Sequence, residues 1–162
     1  MEIKELLSDK LKAQFPGTNF EFAEFRDEIT VKFPKEVVVA VCEFLKTDPE
    51  LEFLQCEDIT AIDWATRKNR FTVVYQIYSF KNKSRLRLKA DVDNSDPSID
   101  SVTSVWKGAN WQERETYDMY GIKFNNHPDL RRMYMPEDFE YHPLRKDFPL
   151  MGIPGSIPLP KK

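Results

Sequence analysis

Hydrophobic residues recur with two periods along the first two thirds of the chain. Ile3, Leu6, Leu7, Leu11 and Phe15 stand at helical spacing among Lys and Glu, which predicts an amphipathic helix ended by Pro16-Gly17. Phe20–Phe25 and Ile29–Phe33 alternate around Arg26-Asp27-Glu28, which predicts a β-hairpin. Pro34 suits the first position of a second helix, since its missing N–H would be unpaired there anyway; this helix runs to about Lys46 and stops at Asp48-Pro49. Three strands follow: Leu51–Trp64, with a break expected near Glu57-Asp58, then Phe71–Phe80 and Arg85–Val92. In the last, Leu86, Leu88, Ala90 and Val92 face one way and Arg85, Arg87, Lys89 and Asp91 the other. Short polar links make antiparallel neighbours the simplest arrangement, with the basic stripe as the solvated face. Ile99, Val102, Val105 and Trp106 suggest a further short helix. The expected body is an α+β domain, a mostly antiparallel sheet with helices packed on one face.

A second pattern begins after Gly121. Seven of the 11 prolines lie from Pro128 onward, so residues 122–162 cannot form much regular structure. Yet the stretch carries Phe124, Leu130, Tyr134, Phe139, Tyr141, Leu144, Phe148, Leu150 and Met151, unlike a disordered tail. Irregular chain of that length is usually functional or disordered, and apolar side chains on it must pack against something. The division expected is therefore 1–121, an α+β body, and 122–162, an extended segment that wraps a partner.

Composition narrows the function. With 162 residues the chain can bury its own core, and a formal charge of -3 argues against nucleic acid as the main partner. The charged start is not read as a secretory signal, and the longest apolar run, Val37–Cys42, is too short to span a membrane. Cys42 and Cys56 are expected as free thiols, too few to ligate an iron–sulfur cluster alone.

The chemistry concentrates between residues 109 and 149. Asn110 and Glu113 have the spacing of a capping box, and Gly121 that of a left-handed helix end, which frames a helix over Trp111–Tyr120. Glu113, Arg114, Glu115 and Asp118 spread around its circumference instead of sharing one face, and Arg114 and Asp118 have pairing distance at i,i+4. Buried, paired charges are expected, with the arginines downstream or across an interface. His127-Pro128-Asp129, Arg131-Arg132, His142-Pro143 and Arg145-Lys146-Asp147 supply the complementary groups, and an ion-pair network would pin the irregular chain.

These residues resemble a known family. Glu113-Arg114-Glu115-x-Tyr-Asp118-Met-Tyr-Gly121, His127-Pro-Asp-Leu-Arg-Arg132 and His142-Pro-Leu-Arg-Lys-Asp147, in that order, look like the signature of the thirty-kilodalton subunit of respiratory complex I, the C-type subunit of bacterial NADH–quinone oxidoreductase. Two positions depart from the pattern. Asn126 stands where the family often has Gly, and Asn tolerates positive φ; Tyr141 stands where Gly is usual, and Tyr tolerates it poorly. The resemblance implies a peripheral protein on the cytoplasmic face of the inner membrane, packed against the D-type subunit, which is related to hydrogenase large subunits. Flavin, iron–sulfur clusters and quinone would be carried by other members of the complex. No catalytic, cofactor or metal residue is then expected here; the signature residues would hold the wrapping segment and its partner in register.

Two other readings remain. The same fold could serve a membrane-bound hydrogenase or related quinone oxidoreductase. A free-standing soluble enzyme or binding module would need convergent site geometry. His127 and His142 lie on irregular chain without metal-ligand spacing, and Glu113 and Glu115 point to different sides of a helix.

Overall fold

The computed structural model describes residues 3–153. The elements are α1 (Ile3–Gln14), β1 (Glu21–Phe25), β2 (Glu28–Lys32), α2 (Val38–Thr47), β3 (Gln55–Asp63), β4 (Phe71–Ser79), β5 (Ser84–Val92), β6 (Ser98–Asp100), α3 (Ala109–Tyr120) and β7 (Lys123–Asn125). A five-stranded sheet runs in the order β1-β2-β5-β4-β3. Its neighbours are antiparallel except β2 and β5, which pair in parallel.

Local chemistry sets each turn. Arg26 and Asp27 both take positive φ, 50° and 64°, which lets a two-residue loop follow the strand twist and closes Phe25 onto Glu28. Pro34 precedes a single 3-10 turn (Lys35–Val37) that leads into α2. The expected break in the third strand is a register shift between Cys56 and Asp58.

Register places the alternating apolar residues on one face. Ile29 and Val31 align with Leu86 and Leu88, which align with Ile77 and Tyr75. Leu7 and Leu11 of α1 and Val38, Val41, Cys42 and Leu45 of α2 join them in one buried cluster. The opposite face carries ion pairs: Arg85 with Glu57, Arg87 with Glu28, and Lys32 with Asp91. Cys42 and Cys56 are both free thiols. No helix among the described residues is long and apolar enough to cross a membrane.

Two local expectations are corrected. Ile99, Val102, Val105 and Trp106 are buried, but on strand β6 and the turns after it, not on a helix. Tertiary pairing overrides the spacing: β6 pairs in parallel with β7, and the Glu113 carboxylate accepts the Val102 N–H. The third helix also begins earlier, at Ala109, with Gly108 before it and no side-chain cap, so Asn110 is not the capping residue. The core extends past Gly121, because Ile122 and Phe124 are buried in it. After Asn125 the described chain is turns and coil to residue 153; Pro154, Pro158 and Pro160 lie outside the described residues.

Candidate functional site

Helix α3 lies along the free edge of the sheet at β3. Gln112 Nε2 donates to Glu57 O (2.8 Å) and Thr116 Oγ1 to Ile59 O (2.9 Å), so side chains of the helix cover the edge carbonyls. The buried residues of α3 are Ala109, Glu113, Arg114, Thr116 and Asp118. A helix that buries mostly polar groups needs partners for all of them.

Asp118 finds four. Oδ1 accepts from Arg132 Nε at 2.6 Å, and Oδ2 accepts the backbone N–H of Met133 (3.0 Å), Tyr134 (2.7 Å) and Met135 (3.1 Å). Burial works against its charge, but the three backbone donors and Arg132 outweigh it and hold the carboxyl below its ordinary value. Arg114 does not pair with Asp118, contrary to the i,i+4 expectation. It stacks over Trp111 and donates to the carbonyls of Arg131 (3.1 Å) and Arg132 (3.3 Å). The helix thus clamps residues 131–135 from both sides of their backbone.

The end of α3 is closed by the next part of the segment. The last carbonyls of a helix have no partner within it. Here Gly121 N–H donates to Tyr117 O, His142 Nδ1 and Arg132 Nη2 to Asp118 O, Leu144 N–H to Met119 O, and Arg145 Nε to Tyr120 O. Arginine at a helix C-terminus also meets the negative end of the dipole. Gly121 has φ 72°, and a Cβ there would lie 2.5 Å from His142 Nε2 and closer still to Arg145. Both backbone conformation and packing require glycine. Burial, and then the charge of Arg70, lower the Arg145 pKa.

A third anchor lies on the β3–β4 link. Asp63 pairs with Arg70 at 2.8 and 2.7 Å and accepts the Lys146 N–H at 2.7 Å, while Arg70 also reaches Asp147 at 2.9 Å. Arg70, against the opposing effect of burial and with the help of Lys146 N–H, holds the Asp63 carboxyl at about 2. Neither Asp63 nor Arg70 was singled out by sequence, because their partners lie 83 and 77 residues further on.

Glu113 is fully buried and accepts from Ser101 Oγ (2.6 Å) and Val102 N–H (2.7 Å). Burial pushes its carboxyl up to about 7, against both of those bonds. His127 Nε2 stands 3.9 Å away but hydrogen-bonds Asn110 O at 3.1 Å, and its Nδ1 accepts the Asp129 N–H. These partners fix the Nε2–H tautomer, and burial lowers the ring's pKa, so His127 is a neutral brace. Burial likewise lowers the pKa of His142. Asp129 and Arg131 form an exposed bidentate pair, Glu115 is exposed, and Pro128 is exposed beside His127. Asn126 has φ 60°, as its position in the pattern suggested, whereas Tyr141 does not adopt positive φ; its carbonyl accepts from Arg132. No group of three or more His, Cys, Asp or Glu able to hold a metal occurs among the described residues.

The three motifs thus form one object: a segment fastened to α3 at its start, middle and end. The family model described as "Respiratory-chain NADH dehydrogenase, 30 Kd subunit" matches residues 31–154. The chain belongs to this family. A protein of Geobacter sulfurreducens, named as the C-type subunit of NADH-quinone oxidoreductase, is 52% identical over 144 residues, covering 88% of each chain. Among solved structures, a trypsin-resistant fragment (1-134) of Nqo5 matches with a TM-score of 0.64 and 31% identity over 78% of this chain and 98% of that one. The membrane-bound sulfane sulfur reductase, an archaeal respiratory membrane complex, contains the same fold at TM-score 0.75 and 19% identity, over 91% of this chain and 86% of that one. Of the residues singled out by sequence, Arg114, Asp118, His127, Arg132, His142 and Arg145 fasten the segment to the helix, Lys146 and Asp147 meet Asp63 and Arg70, and Glu115, Pro128, Asp129 and Arg131 are exposed.

Two outcomes follow from this geometry. Gly121→Ala lowers stability in urea unfolding by at least ~2 kcal/mol, from the left-handed backbone and the collision together. Gly108→Ala, in helical backbone with open space around its Cβ, leaves stability unchanged or slightly higher. Equal effects would show that the His142–Arg145 cap is not in place. Folded Glu113 holds its proton more tightly than the unfolded chain does, so stability falls as pH rises from about 4.5 to about 7. The fall amounts to about 3 kcal/mol. Glu113→Gln keeps the acceptor for Val102 N–H and flattens that part of the stability–pH curve; an unchanged slope would assign the titration elsewhere.

Proposed function

We propose that this protein is the thirty-kilodalton, C-type component of a proton-translocating NADH–quinone oxidoreductase, a peripheral member on the cytoplasmic side that packs against the hydrogenase-like D-type subunit. In this reading it carries no flavin, cluster or quinone and has no activity alone; it scaffolds the quinone-reducing module. One observation carries the reading: the segment after α3 is fastened through Arg132, His142, Arg145 and backbone N–H groups, and it leaves several large apolar side chains exposed. Tyr134 (60%), Tyr141 (43%), Leu144 (52%), Leu150 (100%) and Met151 (94%) are exposed, as is Trp111 of α3 (62%). Large apolar side chains gathered on one stretch of polar-anchored chain mark a surface made for another protein. Glu113, Arg114, Asp118, Arg132, His142 and Arg145 then shape that surface from beneath.

The names of the relatives support the reading. The Nqo5 relative, known as a trypsin-resistant fragment, fits a resistant body with a more accessible remainder. His127 gives little support to a free-standing enzyme. Both ring nitrogens of His127 are used by backbone groups, which leaves none to serve a substrate.

Purification from native membranes in mild detergent tests the proposal. The expected result is co-purification with a multisubunit oxidoreductase containing a polypeptide related to hydrogenase large subunits. Trypsin then cuts the isolated protein at exposed Lys146 but spares that site in the complex. A protein that purifies alone, or equal protection in both samples, contradicts the proposal. A hydrogen- or sulfur-linked electron-input module in place of an NADH-oxidising one would assign the chain to a sister complex.

A further inference from the structure

A groove of about 490 Å3 opens between Leu54–Cys56, Phe80 at the end of β4, and the Ser104–Gly108 loop. None of its lining residues belongs to the segment after α3, so it is separate from the surface described above. Leu54 is 50% and Phe80 60% exposed, while Val105 and Trp106 are buried behind them. Lys46 and Lys107 flank this apolar floor, and no Asp or Glu lines it. The chain holds 27 acidic against 24 basic residues, so an acid-free lining with two lysines departs from the general surface.

The groove is held open by fixed contacts. Trp106 Nε1 donates to Phe53 O at 3.2 Å, and Lys46 Nζ to Val105 O. Glu52 takes positive φ (45°), and Leu54 N–H closes back on Glu52 O at 2.9 Å. This tight turn buries Leu51 and Phe53 and turns Leu54 out. A non-glycine residue in the left-handed region costs free energy, here to present a leucine to solvent.

We propose that this groove is a second docking site, occupied by a short acidic segment of a partner protein. A large apolar side chain of that segment would cover Leu54 and Phe80, and its carboxylates would face Lys107 and Lys46. Charge complementarity selects this occupant over the chain's own end: residues 154–162 contain no acid and finish in Lys161-Lys162.

The test uses the enzyme purified from native membranes. A carbodiimide couples an amine to a carboxylate in contact with it. The expected product is an amide between Lys107 and an Asp or Glu of another subunit. Acetylation of Lys107 by a water-soluble anhydride is expected to slow about tenfold relative to the isolated chain, the protection given by a contact of roughly 1.4 kcal/mol. Phe80→Ser, which removes the apolar contact and leaves both lysines, is expected to restore the fast rate in the assembled enzyme. Unchanged acetylation in an intact complex overturns this site and leaves the assembly reading standing. So does coupling only to a second copy of this chain. Binding of the isolated protein to phosphatidylglycerol vesicles that is lost in Lys107→Glu would assign the groove to a lipid surface and also overturn it. A chain that purifies alone overturns both readings.

Discussion

A helix that buries charged groups and ends against the protein body must find donors and acceptors beyond its own turn. Helix α3 meets that demand with the chain that follows it. The Asp118 carboxylate is the centre of the arrangement: one oxygen holds Arg132, and the other gathers three successive backbone N–H groups. Removing either partner would leave a charge without compensation in a water-poor site, which typically costs several kcal/mol, roughly 3–5. The irregular path of residues 131–135 is therefore set by a polar interaction, not by hydrophobic collapse.

That choice of adhesive has a consequence for function. A segment held by its polar groups is free to present apolar ones. Phe139 is buried under Arg132, but Tyr134, Tyr141 and Leu144 face outward on the same stretch. Prolines help by removing backbone donors that would otherwise need partners on an exposed, non-repetitive path. Flattening, not folding, is the outcome: chain laid over the edge helix, held by Arg132, His142 and Arg145, with Tyr134, Tyr141 and Leu144 left exposed.

Much of this was legible in the residues. Strict alternation over 85–92 and the apolar spacing over 3–15 gave the sheet face and its covering helix, since one face of each had to be buried. Gly121 announced a left-handed helix end, and the mixing of charge around 113–118 announced buried ion pairs. Other features were hidden for physical reasons. The spacing at 99–106 mimics a helix, but a three-residue parallel pairing and a buried carboxylate decide that backbone. Asn110 has cap chemistry, yet its carbonyl serves His127 and the helix starts before it. Asp63 and Arg70 flank an ordinary strand connection, and only the folded chain brings Lys146 and Asp147 to them. Contacts between residues so far apart leave no local period to read.

Amide hydrogen exchange on the isolated protein tests the central role of Asp118 most directly. Slow exchange is expected at Met133, Tyr134, Met135 and Leu144, although all four lie outside helices and strands. Asp118→Asn is expected to accelerate these amides together while those of β4 stay slow. Exchange of the four at unfolded-chain rates in the unaltered protein would contradict it, and would mean that residues 131–148 are shaped only when a partner is present.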